Sequence, residues 1–445
     1  MINRSIFVPL VIFVTLFWGL NSVQAKHAPD WYVDLAADTL VRDLEQGNTA
    51  ALDEFLRADE DGAIPQDAAQ RVIRRVLVYE KLGQVNLDML GTSTKASKTS
   101  LKSTLSQRIG PQTLRERMER VVDVMTVKRS SIFACKPREF SFPRDHGKHL
   151  RLAEWWYFHG HMYAQDGRPF GYELCFFKVL PCIYFCHVAV TDEKGEKFSY
   201  SRTFSAPWKV KVKSKSLSVK YGPCWAKATS ADSLSIHGEF DDISFDLDML
   251  QLGDALPIDD DGVVDMPEGI DSYYYSLCRL EHHGTLKING HTYTVGGHSW
   301  MDHQWGNFYC LRWRWDWFAL QMKEGSEYVI YRTRSPKDET AITGASIRLP
   351  DGSTEFHREV QIKPLESWTS PVSKDHYVTK WRLTIPGRSE EFTVKAVIPQ
   401  QELPPQWSID KLPAYWEGRC YVEREGDGAK GVAYCEHFPY NRPQN

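Results

Sequence analysis

The chain of 445 residues lacks the short motifs that mark several common enzyme sites. It has no Cys-x-x-Cys pair, so we do not expect a zinc site built from thiolates. It has no Gly-x4-Gly-Lys-Ser/Thr loop to bind phosphates. Ser299 lies in the segment Gly-His-Ser-Trp-Met, which lacks the second glycine of a nucleophile elbow. These absences argue against P-loop enzymes and against serine hydrolases of the elbow type.

The sequence also lacks an excess of charge of one sign. Its 54 Lys and Arg residues are nearly matched by 58 Asp and Glu residues, for a formal net charge of −4. Loss of Arg4 would change this value only to −5. A balanced charge is not typical of proteins that bind nucleic acid or strongly anionic membranes. We therefore expect no nucleic-acid partner.

Only one long apolar run is present, from Ile6 to Leu20. It follows the basic Arg4 and precedes the small residues Val23 and Ala25, a pattern typical of a secretory signal cleaved after Ala25. The run is shorter than the roughly 20 residues that a membrane-spanning helix needs. We therefore predict a signal peptide at 1–25 and a secreted or periplasmic protein, with an uncleaved membrane anchor as the alternative.

The nine cysteines are an odd number, so at least one thiol is not in an internal disulfide. Cys420 and Cys435 flank a predicted hairpin loop at 425–429 and are expected to face each other. The sequence is compatible with a disulfide here and with two buried thiols.

Residues 26–132 differ in texture from the rest of the chain. Apolar residues recur at helical spacing in 35–44 and 65–83 and again after Pro111. A Ser/Thr/Lys stretch at 92–103 has no periodicity and is interpreted as a linker. We predict a small α-helical N-terminal region, whose partner is unknown.

From residue 133 onward the sequence is typical of antiparallel β structure. Period-two alternation, β-branched and aromatic residues and regularly spaced turns occur in GYELCFFKV, FCHVAVT, LSIHGEFDDISFDLDML and WFALQMKEGSEYVIYRTR. The acidic segment 254–271 interrupts this texture and is interpreted as a solvated interdomain loop. We therefore predict a mainly β protein with two tandem antiparallel barrels, at 133–262 and 263–445.

The stretch GGHSWMDHQWGN at 296–307 concentrates polar and aromatic side chains. On an extended strand His298, Trp300 and Asp302 share one face, and Met301, His303 and Trp305 share the other. His298 and Asp302 would be about 13 Å apart, too far to bind one ion. We expect no metal and no cofactor.

Two aromatic segments accompany this stretch. RWRWDWF places Trp313, Trp315 and Trp317 on one face, where they would either pack in a core or form the wall of an apolar pocket. EWWYFHGHM carries Glu154 and Trp156 among further aromatic residues. Carboxyls buried in such surroundings have raised pKa values and keep a proton to donate. The candidate acids are Glu154, Asp302, Asp316 and Glu436, each of which could instead pair with a neighbouring arginine.

Several ordered segments resemble the AttH/CrtC family, which includes carotenoid 1,2-hydratases. They are EWWYFHGHM, GYELCFFKV, the stretch from Tyr273 to Gly306, WDWFALQMKEGSEYVIYRTR, AYWEGRCYVE and GVAYCEHFPY. The resemblance implies two lipocalin-like barrels and a hydrophobic ligand, isoprenoid or lipid, held between or inside them. The family's Asp-His-x-Trp segment matches Asp302, His303 and Trp305. The acid expected on the following strand has no counterpart here, since YVIYRTR offers Tyr328 and Tyr331 but no carboxylate.

Three functions follow from these patterns. The first is acid-catalysed hydration, isomerisation or cyclisation of a double bond, as in a hydratase-like lyase or an isomerase, with Asp302 or Glu154 as acid and His303 and Tyr331 orienting water or substrate. The second is a non-catalytic lipid carrier, and the third is a secreted hydrolase of unrecognised mechanism. Peripheral contact with a membrane is compatible with each. The predicted ligand-binding residues are Trp156, His298, Trp300, Trp305, Trp315 and Trp317.

Overall fold

The computed structural model describes most of the chain after residue 134. The described residues are Leu40, Cys135, 137–179, 183–205, 207–266, 270–307, 313–335, 338–404 and 413–439. Contacts between Cα atoms separate residues 1–129 from residues 130–445, and the second unit is described below. The predicted signal peptide and all of the predicted helical region except Leu40 lie outside the described residues. No helix within the described part is long and apolar enough to cross a membrane.

The described residues form two antiparallel sheets of 13 and ten strands and three single-turn 3-10 helices, at Arg144–His146, Pro207–Lys209 and Pro386–Arg388. The strands of the first sheet are β1 (Ala153–Ala164), β2 (Pro169–Val179), β3 (Ile183–Asp192), β4 (Lys197–Ser205), β5 (Val210–Val212), β6 (Ser218–Tyr221), β7 (Cys224–Ala228), β8 (Ser233–Phe240), β9 (Ile243–Gln251), β10 (Leu256–Pro257), β11 (Val263–Met266), β12 (Ile270–Ile288) and β13 (His291–Gly306). The strands of the second sheet are β14 (Arg314–Met322), β15 (Glu327–Ser335), β16 (Asp338–Arg348), β17 (Thr354–His357), β18 (Gln361–Thr369), β19 (His376–Ile385), β20 (Glu390–Ala396), β21 (Glu402–Leu403), β22 (Tyr415–Arg424) and β23 (Lys430–His437).

The first sheet curls into a nearly closed barrel. Its strand order is β4-β3-β2-β1-β13-β12-β9-β8-β7-β6-β5, and β10 and β11 both pair with β12. Aromatic contacts cross its interior, since the ring of Tyr221 on β6 lies 5.2 Å from Phe176 and 5.5 Å from Tyr184. Burial of these apolar faces is the main force that closes the sheet on itself.

The second sheet forms a half-barrel with its own apolar core. Its order is β17-β16-β15-β14-β23-β22-β20-β19-β18, and β21 pairs with β22. The core spans the curved sheet, because Phe318 on β14 lies 5.4 Å from Trp381 on β19. The prediction of a mainly β protein with two barrel-like sheets is confirmed.

The predicted boundary between residues 262 and 263 is displaced from the boundary in the structure. Strand β12 pairs with β9 on one side and with β13 on the other, so residues up to Gly306 belong to the first sheet. The second sheet begins at Arg314. The acidic segment misled the prediction, because it is not simply a solvated loop: β10 and β11 lie within it, and Asp259 is only 4% exposed.

Of the two alternatives for Cys420 and Cys435, a disulfide or two buried thiols, the structure has the second, since both residues are buried free cysteines. The hairpin register explains this result. Cys420 lies opposite Ala433 and Cys435 lies opposite Gly418, so the two cysteines are diagonal neighbours rather than direct partners. Diagonal Cα atoms are about 7–8 Å apart, beyond the usual span of a disulfide.

Candidate active site

A partly open cavity lies between the outer faces of the two sheets and has a volume of about 100 Å³. The first sheet contributes residues from β1, β2, β11, β12 and β13, and the second sheet contributes β14, β15, β22 and β23. The lining residues are Trp155, Tyr157, Cys175, Phe177, Val264, Met266, Tyr274, Asp302, Gln304, Trp313, Trp315, Trp317, Tyr331, Thr333, Glu417 and Glu436. The cavity is therefore lined mainly by aromatic and apolar groups, with three carboxyls among them.

Strand alternation decides which residues line the cavity. On β1, Trp155 and Tyr157 face the second sheet, whereas Trp156 and Phe158 belong to the core of the first barrel. Strand β13 follows the same rule, and Asp302 lies directly opposite Tyr157 in the register. Because successive side chains point to opposite faces, the cavity and the barrel core share the same two strands.

Three tryptophans at alternating positions, one just before β14 and two on it, form one wall of the cavity. Trp313, Trp315 and Trp317 all line the cavity, which is the arrangement of the pocket-wall alternative. The Trp317 indole donates a hydrogen bond of 2.9 Å to the Tyr274 hydroxyl on the first sheet. This bond ties the aromatic wall to the opposite face of the cavity.

Asp302 is a buried acid on the cavity surface and is 2% exposed. Its Oδ1 atom accepts hydrogen bonds from the Ser276 hydroxyl and from the Trp300 indole, the latter at 2.8 Å. Burial raises the pKa of Asp302 to about 7, although these hydrogen bonds favour the charged form. Asp302 therefore retains its proton near neutral pH and can donate it.

Two further carboxyls line the cavity from the second sheet. Glu417 and Glu436 lie directly opposite each other on β22 and β23. Burial raises the pKa of Glu436 to about 8, and burial together with Glu173 and Glu436 raises the pKa of Glu417 well above its usual range. Glu173 on β2 lies behind this pair, and its pKa is also raised to about 8, by burial and by Glu436. Like charges this close do not all ionise, so the group keeps protons at neutral pH.

Tyr331 lines the cavity, and its hydroxyl is paired with a carboxyl other than Asp302. Its hydroxyl donates a hydrogen bond of 2.5 Å to Asp259, which lies in the segment between β10 and β11. Burial raises the pKa of Asp259 to about 6. Asp259 therefore places a carboxyl beside Tyr331 of β15, although Asp259 itself does not line the cavity.

A second polar cluster lies on the opposite face of β1 and β13. Glu154 accepts hydrogen bonds from the His149 backbone N–H at 2.9 Å and from the Lys178 ammonium at 3.1 Å. Its carboxyl also contacts His149 Nδ1 at 2.9 Å and His303 Nε2 at 3.3 Å. Burial opposes ionisation, but these partners outweigh it and lower the pKa of Glu154 to about 2. Glu154 is therefore an ionised carboxylate that holds His149, Lys178 and His303 together, and it has no proton to donate.

His149, Glu154 and His303 form the one group among the described residues with ligand atoms close enough to hold a metal ion. Lys178 already neutralises Glu154, and the second nitrogens of His149 and His303 contact Asp145 at 3.3 Å and Tyr275 at 3.2 Å. Each polar atom of this group therefore has a protein partner. The geometry fits an internal ion pair better than a metal centre.

The structure divides the predicted site residues between these places. Asp302, Tyr331, Trp315 and Trp317 line the cavity. Trp300 supports Asp302 from behind without lining the cavity. The remaining predicted residues lie elsewhere: Glu154, His303, Trp156 and Trp305 are inside the first barrel, and His298 is exposed.

The structure also decides the partners of Asp302 and of Asp316. Asp302 and His303 do not act together, because adjacent residues on a strand point to opposite faces, and His303 stacks on Trp156 in the barrel interior. Asp316 lies on the face of β14 opposite Trp317 and pairs with Arg332 at 2.8 Å, which confirms the ion-pair alternative for this residue.

Glu417 is the cavity carboxyl that the sequence interpretation missed. The signal for it was present, because Glu417 follows Tyr415 and Trp416 in AYWEGRCYVE, an aromatic context like that of Glu154. Nothing in that context distinguishes a carboxyl facing the cavity from one facing a barrel core.

Comparisons with known proteins agree with this architecture. The AttH-like family model matches residues 134–440, which is most of the chain. The chain belongs to the AttH-like family. No curated protein sequence matches this AttH-like protein significantly.

Two crystal structures share its fold. A protein of Nitrosomonas europaea described as AttH is 21% identical, with a TM-score of 0.64, and the match covers 69% of this chain and 99% of that chain. Kievitone hydratase from Nectria haematococca is 18% identical, with a TM-score of 0.58, and the match covers 68% of this chain and 94% of that chain. At these identities the similarity shows the fold alone.

Proposed function

We propose that this AttH-like protein protonates a carbon–carbon double bond of an apolar substrate in the cavity between the two sheets. One observation carries the proposal: an aromatic cavity is lined by three buried carboxyls whose pKa values are raised. A hydratase among its structural neighbours supports the same chemistry. The curled antiparallel sheets also support the proposal of two lipocalin-like barrels and of an isoprenoid- or lipid-like ligand.

Asp302 is the proposed acid. Its proton passes to one alkene carbon, so the π electrons form a C–H bond and the other carbon becomes a cation. The indole faces of Trp315 and Trp317 stabilise this cation, each by about 0.5–2 kcal/mol. In hydration, water adds to the cation and its extra proton returns to a cavity carboxylate. In isomerisation or cyclisation, loss of a carbon-bound proton or attack by a second double bond resolves the cation instead.

A lipid carrier is the second candidate, because the same aromatic cavity would hold an apolar ligand without chemistry. An apolar lining alone would favour the carrier. The three carboxyls favour the enzyme, since burial of ionisable groups is costly and a carrier gains nothing from them. A secreted hydrolase is the weakest of the three alternatives. Among the described residues, the cavity lining contains no serine and no histidine, and the one cysteine, Cys175, has a pKa raised well above the usual range by burial.

The test begins with an organic extract of the purified full chain and mass spectrometry of the ligands that co-purify. Binding is then measured with N-phenyl-1-naphthylamine, and turnover is measured with β-citronellol, which has one isolated double bond. Asp302→Asn is expected to lower turnover by about 10²-fold or more while the probe still binds. Asp246→Asn, an exposed change on β9, is the matched control and should leave both unchanged.

The outcomes separate the candidates. Full turnover in Asp302→Asn would show that Asp302 is not the acid. Probe binding without turnover of any extracted ligand or of β-citronellol would favour the carrier. If the probe does not bind and no ligand is extracted, the cavity is not a binding site for apolar molecules.

Export is part of the proposal as well, since the sequence predicts cleavage after Ala25. N-terminal sequencing of the protein from the cell envelope and medium should begin at Lys26. Retention of Met1 in a membrane fraction would favour the anchor instead. Peripheral membrane contact and a partner for residues 26–132 stay predictions.

A further inference from the structure

Several buried polar atoms behind the cavity make no hydrogen bond to any described residue. They are both ring nitrogens of His159 and the hydroxyl of Tyr434. Tyr157, Glu173 and Glu417 lie beside them, and Glu417 hydrogen-bonds to both Tyr157 and Glu173. All five side chains are at most 6% exposed. Buried polar groups are normally paired with protein or with ordered water, so His159 and Tyr434 are the side chains that a bound water would satisfy.

These five residues lie together between the two sheets and are called the polar chamber. The His159 ring lies 4.6 Å from the Tyr434 ring and 5.1 Å from the Tyr157 ring. His159 is directly opposite Glu173 in the pairing of β1 with β2. Burial raises the pKa values of Tyr157 and Tyr434, and the nearby Glu417 and Glu173 raise them further.

The polar chamber adjoins the cavity. Tyr157 and Glu417 belong to both, and Trp317 of the cavity wall meets the rings of Tyr157 and His159 edge-on at 5.6 and 5.5 Å. Trp300, which supports the proposed acid Asp302, stacks on His159 with ring centres 6.0 Å apart. A small polar molecule in the chamber is therefore next to the place where the cation would form.

We infer that the polar chamber is a water-binding site that supplies the nucleophile for hydration, and that His159 positions this water. The inference rests on the proposed function and selects hydration among its reactions. Burial lowers the pKa of His159 well below its usual range, so the ring is neutral and one nitrogen can accept a hydrogen bond from water. The water oxygen then forms the C–O bond, and its proton passes to a cavity carboxylate.

Two measurements test the inference. In a high-resolution crystal structure, ordered water should lie within about 3.2 Å of His159 and Tyr434. In D₂O, capture of the β-citronellol cation by water gives a tertiary alcohol, and loss of a proton other than the added deuteron gives an alkene that has gained deuterium. The ratio of these products reports capture by water separately from protonation.

His159→Phe removes the polar nitrogens, and His159→Gln keeps a donor and an acceptor. We expect His159→Phe to lower the ratio of alcohol to deuterated alkene by about tenfold or more, with His159→Gln within about threefold of the wild type. Circular dichroism and binding of N-phenyl-1-naphthylamine check that both variants fold.

A dry chamber, or a His159→Phe variant with an unchanged product ratio, overturns the inference. Absence of both products in the wild type would count against the proposed function for this probe, and the crystallographic waters would still decide whether the chamber is a water site. Occupation of the chamber by a polar group of a co-purified ligand would also overturn it.

Discussion

Glu154 and Asp302 are two buried carboxyls on one pair of strands, and their pKa values are shifted in opposite directions. Both belong to the β1–β13 pair, and both are at most 2% exposed. Glu154 faces the barrel interior, where His149, His303 and Lys178 surround it and lower its pKa to about 2 despite its burial. Asp302 faces the cavity, where only neutral groups donate to it and burial raises its pKa to about 7.

Burial alone therefore does not decide the protonation of a carboxyl in this protein. The deciding difference is the set of partners of Glu154, which are the hydrogen-bonding rings of His149 and His303 and the Lys178 ammonium at 3.1 Å, against hydroxyl and indole donors at Asp302. A charged carboxylate with partners on every side stabilises structure, whereas a neutral carboxyl beside an aromatic cavity can perform acid catalysis.

Removal of the cation should have the largest effect on stability. Lys178→Met leaves the Glu154 carboxylate without its buried partner, so we expect the free energy of unfolding to fall by about 3–5 kcal/mol. Chemical denaturation of the purified protein measures this change. Lys380→Met, which breaks the more exposed pair with Glu366, is the control and should cost about 1 kcal/mol or less. Equal costs for the two variants would show that Glu154 does not need its cation.

The pH dependence of stability should have opposite signs for the two carboxyls. Glu154 has a lowered pKa in the fold, so its stabilising contribution is present above pH 4.5 and is lost as the pH falls toward about 2. Asp302 has a raised pKa, so its contribution is present below pH 3.8 and is lost as the pH rises toward about 7. Each change is about 3–4 kcal/mol in total.

Denaturation of the wild type, Glu154→Gln and Asp302→Asn across this pH range checks the signs. The stability of the wild type relative to Glu154→Gln should fall on acidification. Its stability relative to Asp302→Asn should fall between pH 4 and pH 7. Parallel curves for the wild type and Asp302→Asn would mean that Asp302 is ionised in the fold.

Substitution of a tryptophan in the cavity should lower activity, and substitution of a tryptophan in the barrel interior should lower stability. Both effects should be smaller than those above. Trp315→Phe in the cavity should lower turnover of β-citronellol by about 3–30-fold, because the phenyl ring stabilises a cation less well. Trp305→Phe in the barrel interior, where Trp305 stacks on His149 at 3.9 Å, should instead lower the free energy of unfolding by about 1–2 kcal/mol. The reverse result would place the reaction inside the barrel.

Much of the fold was predictable because alternation is a local property. Period-two patterns predicted strands in 171–179, 185–191, 234–250 and 317–334, and the structure has strands in each of these segments. The position of the boundary between the two sheets was not predictable, because a local sequence pattern does not show that β12 pairs with β9 and β13. The diagonal offset of Cys420 and Cys435 depends on a hairpin register that shifts by two residues without any change of pattern.

The primary structure alone specified the strands, the shared face of Trp300 and Asp302, and the separation of Asp302 from His303, since side-chain direction along a strand has a period of two. Tertiary structure decided which face encloses a core and which faces the cavity. It also decided that Asp302, Glu417 and Glu436, distant in sequence, line one cavity. The protonation of these carboxyls depends on distances between strands of different sheets and on which cations lie close to them. Neither is a local property of the chain.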